Sequence, residues 1–553
     1  MTVGVIKQSL KEYKSICILV RLIRKLLHIS FDFCTFLKTY LNNVLISGRR
    51  LRMAFLYRDH MILQCEERLS VKGEARPGEW VTVSIGGNRE KTCCQSDGHW
   101  EVDMPPLSAG GPYLLEICSS KEKLVYRDVY AGEVWLCSGQ SNMAVTMGGH
   151  LRNSKLDEND FLSNRKSNPF RYFSMESIWP SYPVVWNWIA KYCINHYQGL
   201  RLKGWNDCTP EKINSLSAIA FFYGTYLSRQ LEKPVGLIVN PVGGTAEYCW
   251  IERRLMQKEY PEILSDWYNN QKVTIWMKNR AIQNLGKRAV AYENLHPYYP
   301  GYCFEAFIRP VKDYAIKGCI WFSGESSAQL NDTGQFEKLQ EMQIRNWRES
   351  FGKNFPFYYV QLHGMNYEQT FGEGLHYFYP EIRNSQRRLL SQIPDVGMAV
   401  SYDLSVMDNV HFRNRKPAGE RLARLALHKT YGKGEIMPCG PLYHEATLRD
   451  NFIYIKFDWA EGLCTKDGDK PKTFEVAGKD KCFHPAKASI TGEEIILSCR
   501  EVSEPVWVHY AFDEYPIDAN LVNGEGVPAA CFEERICKSV KSSSIESFPD
   551  IIE

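Results

Sequence analysis

The sequence predicts an α/β core built on a parallel sheet with helices on both faces, flanked before and after by β-rich, sandwich-like modules. Three observations predict it. From about Tyr130, short strand-forming runs alternate with longer helical ones, the rhythm of parallel strands joined by crossover helices. Residues 55–129 and 436–537 instead place short alternating runs between Gly- and Pro-containing turns, the pattern of half-buried antiparallel strands. The third is length: 553 residues, 44% hydrophobic and 24% charged, are enough for several globular domains.

The elements follow in order. Residues 1–52 carry ten Lys or Arg against only Glu12 and Asp32, and the apolar run Ile16 to Val20 stops at Arg21. Such runs are too short to cross a bilayer, and no small-residue cleavage site follows them. They read as a basic N-terminal extension: a poorly ordered amphipathic arm, a degenerate targeting segment or, the preferred reading, sequence ahead of a true start near Met53. In residues 53–129, Val81, Val83 and Ile85 alternate, then Trp100, Val102 and Met104, then Tyr113, Leu115 and Ile117, which predicts a small antiparallel β-domain. The core, 130–435, offers strands at Glu133 to Cys137, Val235 to Asn240, Ile316 to Phe322, Phe357 to Leu362 and Gly397 to Asp403. Helices are expected over Ser217 to Leu231, across Phe336, Leu339 and Trp347, and over Pro417 to His428. An aromatic-rich insertion near 253–302, with Trp267, Trp276 and His296 to Pro300, either supplies rings for sugar faces or forms a closed hydrophobic cap. Residues 436–537 read as a second β-module and 538–553 as a tail.

The net charge of +3 comes without a polybasic stripe outside the N-terminus, which excludes a nucleic-acid-binding class. The eighteen cysteines are scattered without CxxC pairs and read as mostly reduced, buried small hydrophobes. No Cys/His cluster has zinc-site spacing, and neither a metal nor an organic cofactor is expected. Reduced cysteines and the absence of a clear signal lead to a cytoplasmic expectation, with substrates imported as sugars or oligosaccharides.

The stretch that organises the core is Glu133 to Met143. A strand ends at Ser138-Gly139, small residues that permit a tight turn, and the turn presents Ser141 between the amides Gln140 and Asn142. A hydroxyl at its free pKa is a weak nucleophile, so this mount requires a histidine base from elsewhere and donors for a developing oxyanion. Gly243-Gly244-Thr245, Gly324-Glu325, and Asp408 with His411 follow later strands, so all fall at the strand ends where open α/β sheets bind ligands.

Gly139-Gln140-Ser141-Asn142-Met143, Val235-Gly236-Leu237-Ile238 leading to Gly243-Gly244-Thr245, Trp321-Phe322-Ser323-Gly324-Glu325-Ser326, and His411 with Gly419-Glu420-Arg421-Leu422-Ala423 resemble the sialate O-acetylesterase family. The resemblance runs from about Phe55 to Cys537. It implies an SGNH-hydrolase core of flavodoxin-like α/β/α type. It also implies a carbohydrate O-acetylesterase in which Ser141 is the nucleophile and His411 the general base. Asp408, or its rival Asp403, would orient the imidazole. The Ser141 N–H and the Gly243-Gly244 backbone would be oxyanion donors, with Gln140, Asn142, Ser323 and Glu325 as further oxyanion or substrate contacts. The expected partner is an acetylated sugar, an O-acetylated sialic acid first and acetylated xylan second, without a membrane span.

The sequence departs from the family where relatives read Trp-Tyr-Gln-Gly-Glu-x-Asn. Ser323 and Ser327 replace both amide side chains, and loss of one oxyanion donor typically costs about a hundred- to a thousand-fold in turnover. His411-Phe412 replaces the usual His-Pro. A catalytically weakened glycan-binding protein and a general small-acyl esterase are therefore the alternatives.

Overall fold

The computed structural model describes residues 51–154, 169–177, 179, 182–198, 200–286, 294–372 and 377–538. Almost all of the expected N-terminal extension and tail lie outside these residues. At the near edge of the extension, Leu51 is buried and Arg52–Met53 pairs with Leu69–Glu74, so the β-module begins two residues before its expected boundary.

Seven strands make the core: β1 (Lys123–Gly139), β2 (Phe170–Ser177), β3 (Leu200–Asp207), β4 (Val235–Val239), β5 (Gly318–Phe322), β6 (Phe357–Val360) and β7 (Val396–Ala399). Their order is β3-β2-β4-β1-β5-β6-β7. All neighbours are parallel except the edge pair β2/β3. This is the expected parallel sheet with one antiparallel edge. β2 and β3 were not foreseen, because Phe170 to Ser177 and Leu200 to Asp207 mix charged and apolar residues.

Four helices cover the sheet: α1 (Ala218–Leu231), α2 (Thr333–Phe351), α3 (Tyr379–Gln392) and α4 (Lys416–Leu425). Ser217 caps α1 by accepting from Ala220 N, and Asp332 caps α2 by accepting from Gln335 N, each satisfying a donor that helix geometry leaves unpaired. α3 escaped the sequence reading because its inward face includes buried Arg383, Asn384, Ser385 and Gln386, which hides the apolar period. The two faces are marked by tryptophans. In the β1/β5 register Trp321 lies beside Ser138, three residues from Trp135, so their side chains leave the sheet on opposite sides. Trp135 packs edge-on against Tyr223 of α1 at 5.4 Å and Trp321 against Trp347 of α2 at 5.6 Å.

β1 is seventeen residues long and belongs to two sheets. Its first half pairs with Gly110–Cys118 and Ile62–Gln64 of the N-terminal module, and its second half is the central strand of the core, between β4 and β5. The boundary expected at 129/130 therefore falls inside one continuous strand. The N-terminal module is otherwise the antiparallel unit the alternation implies, with Val81, Val83 and Ile85 all buried. Residues 442–538 form further, mainly antiparallel sheets, one of five strands and one of four. Among the described residues the cysteines are free thiols, most of them buried. No helix there is long and apolar enough to cross a membrane.

Candidate active site

The strand order reverses about β1, which makes its carboxyl end a topological switch point where a crevice opens between neighbouring loops. Gly139 ends the strand with φ +135°, and a Cβ there would overlap the Phe322 carbonyl oxygen. Only glycine lets β1 and β5 stay this close as the chain turns, and Gln140 N then donates to Phe322 O at 2.8 Å. Ser141 follows as the first residue of a one-turn helix, Ser141–Ala144. It is half-buried, and neither its hydroxyl nor its N–H has a hydrogen-bond partner among the described residues.

The second loop arrives from β4. Gly244 has φ +79°, and a Cβ there would overlap Tyr298 and Trp276 of the insertion. Tyr298 Oη donates to Gly243 O and Ser326 Oγ donates to Gly244 O, both at 3.1 Å. Both carbonyls are thus held away, while neither the Gly243 nor the Gly244 N–H has an acceptor among the described residues. Three backbone donors, those of Ser141, Gly243 and Gly244, remain for an oxyanion.

The third component, His411, lies on the loop after β7. Its N–H donates to Asn409 Oδ1 at 2.8 Å, and its Nε2 is buried without a partner. The loop is tied to the nucleophile helix, because Asn142 Nδ2 donates to Val410 O at 2.9 Å. No hydrogen bond joins Ser141 Oγ to the ring. Burial and then the nearby Arg415 charge push His411 down to about 4. A base so depressed is neutral throughout the physiological range. The acid limb of kcat/KM for free enzyme is therefore expected below pH 5, with no fall near pH 6.5; a kcat/KM profile from pH 4 to 8 checks it.

Several expected roles are corrected by the geometry. Asp408 is exposed and makes no hydrogen bond to His411; it sits in a tight turn closed by the Val406/Asn409 bridge. Asp403 is engaged by Arg421 through two 2.7 Å bonds. Neither carboxylate is hydrogen-bonded to the imidazole among the described residues. Asn142 spends both amide hydrogens on Glu325 Oε1, at 2.6 Å, and Val410 O, so it ties loops together instead of donating to substrate. Gln140 is buried, and its Oε1 accepts from Ser323 Oγ at 3.1 Å. Ser323 itself is fully buried and also faces Glu247 Oε1 at 2.9 Å, so its hydroxyl is engaged within the protein. Glu325 is buried against Asn142, and burial pushes it up to about 7. Within the insertion, Trp267 is buried with Tyr268 and Tyr299 in a closed aromatic cluster, whereas Trp276 stays half-exposed beside Gly244.

Glu247 was missed. It is fully buried in the turn Glu247–Trp250 and holds Ser323 by one oxygen and Ser327 by the other. The available signal was a lone carboxylate inside the otherwise apolar or uncharged run Ala246 to Trp250. The Ser323 hydroxyl has one proton and two acceptors, Gln140 Oε1 and Glu247 Oε1. Burial pushes Glu247 upward, opposed by its hydrogen bonds from Ser327 and Ser323. Glu247→Gln, of the same shape and still polar, is expected to change unfolding free energy by less than about 1 kcal/mol, whereas Glu247→Leu removes the acceptor of Ser327, leaves Ser323 with Gln140 alone and costs about 1–3 kcal/mol. Denaturant unfolding of the two variants checks the difference.

The described residues bring ligand atoms of Cys65, Glu66 and Glu133 within 4.8 Å of one another. Lys233 lies 2.6 Å from Glu66 and 3.6 Å from Glu133, while Gln64 and Tyr431 donate to Glu133. Both carboxylates are already engaged within the protein, at the far end of the core half of β1 from Ser141.

No family model matches the chain. The sialate O-acetylesterase of Mus musculus is 26% identical over 470 residues, covering 78% of this chain and 83% of its own length. The human protein of that name is 26% identical over 469 residues, covering 78% and 80%. The chain resembles the sialate O-acetylesterases. In three dimensions, the chain is similar to a carbohydrate acetylesterase from Xanthomonas citri, whose crystal structure superposes with a TM-score of 0.71 at 26% identity, covering 88% of this chain and 99% of that one.

Proposed function

We propose that the chain is a carbohydrate O-acetylesterase with an SGNH-hydrolase core of flavodoxin-like type, working through Ser141 and an acetyl-enzyme intermediate. The observation that carries this reading is the convergence, at one switch point, of an unpartnered Ser141 with three unoccupied backbone N–H donors from two loops. The similarity to sialate O-acetylesterases and to a carbohydrate acetylesterase supports it.

In the first half-reaction, Ser141 Oγ attacks the acetyl carbonyl while His411 Nε2 takes its proton. The carbonyl oxygen becomes negative beside the N–H groups of Ser141, Gly243 and Gly244, which need no reorganisation to receive it. As the tetrahedral intermediate collapses, His411 returns the proton to the departing sugar oxygen. Water, deprotonated by the same ring, then releases acetate and restores Ser141. No carboxylate is hydrogen-bonded to the imidazole among the described residues, and the reading is accordingly of a Ser141–His411 dyad.

The test is acetate release from an O-acetylated sialic acid and from acetylated xylan, combined with mass spectrometry of the quenched enzyme. Acetate from either, with an acetyl group on the peptide containing Ser141, is the expected result. Saturable binding of both glycans without acetate release would overturn it in favour of a glycan-binding protein.

A further inference from the structure

His363 follows β6 by three residues, has no accessible surface, and neither of its ring nitrogens has a formed hydrogen bond among the described residues. Aromatic rings enclose it, with centroids at 6.3 Å for Phe322, 5.8 Å for Tyr379 of α3 and 5.6 Å for Phe412. Its backbone is fixed, because Arg383 Nη1 donates to His363 O at 3.3 Å. If the ring served only to fill space, an apolar ring of the same shape would be better, since a buried polar group left unpaired costs about 1–3 kcal/mol. What sets His363 apart is that it meets the chain on both sides of His411. On one side is Phe412, fully buried between His363 and Phe322, which lies at 5.9 Å, with the Arg415 guanidinium 5.3 Å over its ring. On the other, the polar group that His363 faces is the Val410 carbonyl. That oxygen accepts from Asn142 Nδ2 at 2.9 Å and has a second lone pair to offer. Burial, then the charges of His411, Arg383 and Arg415, push His363 down to about 3. The ring is therefore neutral, with one N–H to donate and no charge to oppose a proton arriving on His411.

We propose that His363 is the positioning residue of the general base: its ring braces Phe412 while its N–H closes on the free lone pair of the Val410 carbonyl, so that the backbone of His411 is gripped from both sides. The inference rests on the esterase reading of Ser141 and His411 and deepens it. Among the described residues neither Asp408 nor Asp403 is hydrogen-bonded to the imidazole, so the direction of Nε2 has to be imposed through the main chain. Asn142 reaches Val410 O from the helix that begins with Ser141, and His363 reaches it from the loop after β6. The loop carrying the base is thereby referred to the nucleophile on one side and to the sheet on the other. Hydrogen bonds at catalytic sites are often long in the free enzyme and tighten in the substrate complex, which places the closing of His363 on Val410 at the moment when the alignment of His411 with Ser141 counts.

The experiment compares the kinetics of acetate release by wild type, His363→Phe, His363→Asn and His363→Gln. Phenylalanine keeps the shape of the ring and its contact with Phe412 but has no N–H; the two amides place an N–H at the depth of one or the other ring nitrogen. His363→Phe is expected to lower kcat about ten- to a hundredfold with KM within about threefold of wild type, because a base shifted by a fraction of an ångström loses alignment without loosening substrate. The better of the two amide variants is expected to be at least about fivefold faster than His363→Phe, and the thermal midpoint of His363→Phe to stay within about 3 °C of wild type or rise. A kcat of His363→Phe within about threefold of wild type overturns the proposal, as do amide variants no faster than His363→Phe. Failure of the esterase reading shows separately, as absence of acetate release by wild type. The grip on the loop is then read from the rate at which diethyl pyrocarbonate modifies His411, followed by mass spectrometry of its peptide. In His363→Phe that rate is expected to rise at least about fivefold as the loop opens more often, and equal rates overturn the proposal.

Discussion

A Ser141→Ala variant is expected to lose acetate release by about four to six orders of magnitude in kcat, the range seen when a serine hydrolase is deprived of its nucleophile. Its thermal midpoint is expected to stay within about 2 °C of wild type, because Ser141 Oγ makes no hydrogen bond that alanine would forfeit. The two readouts together are diagnostic. Loss of activity with an unchanged midpoint identifies a group that acts on substrate. Activity within tenfold of wild type would mean that Ser141 is a turn residue and that acetyl transfer, if it occurs, runs through another group.

The second large effect concerns Gly139. A Gly139→Ala variant is expected to lose at least about 3 kcal/mol of stability. The backbone at φ +135° is strained for any side chain, and the added methyl must also push against the Phe322 carbonyl. That carbonyl accepts from Gln140 N, so relief requires β1 and β5 to part at the point where the nucleophile is mounted. Denaturant unfolding measures the loss, and soluble protein should show reduced kcat as well, since a shift of about 1 Å in a reacting group can cost a hundredfold. Wild-type stability with unimpaired turnover would show that the turn tolerates an L-residue.

Much of the scaffold was legible because its signals are local. The β-branched runs of β1, β4 and β5 and the capped helices α1 and α2 announce themselves within a few residues, and strand ends carry the small residues a turn requires. α3 was hidden because its buried face makes polar bonds, such as Gln386 Oε1 accepting from Leu362 N at 2.7 Å. β2 and β3 were hidden by charged residues at the sheet edge. At the candidate site, the sequence identified which loops converge but not how their side chains are committed. Gln140, Asn142 and Ser323 have the chemistry of donors to a substrate, yet each is hydrogen-bonded to protein partners that lie 76 to 268 positions away in the chain. Asp408 has the spacing of a triad acid, yet it is exposed and makes no hydrogen bond to His411. Such pairings depend on packing across loops, which residue order does not encode. Glu247 was overlooked for the same reason: its significance is burial, and burial is a property of the folded chain.

The sharing of β1 between two sheets bears on how the protein can be divided. A fragment beginning at residue 119 would keep every residue of the proposed chemistry, yet the stretch Lys123 to Ala131 would lose both its neighbours, Gly110–Cys118 and Ile62–Gln64. It would then present a bare row of N–H and C=O groups, a template for intermolecular pairing. That fraying end is continuous with the strand that carries Ser141. The amino-terminal module thus serves the core as a built-in chaperone of its central strand, and any shortened form meant to retain turnover has to keep residues 51–118 or supply a surrogate edge.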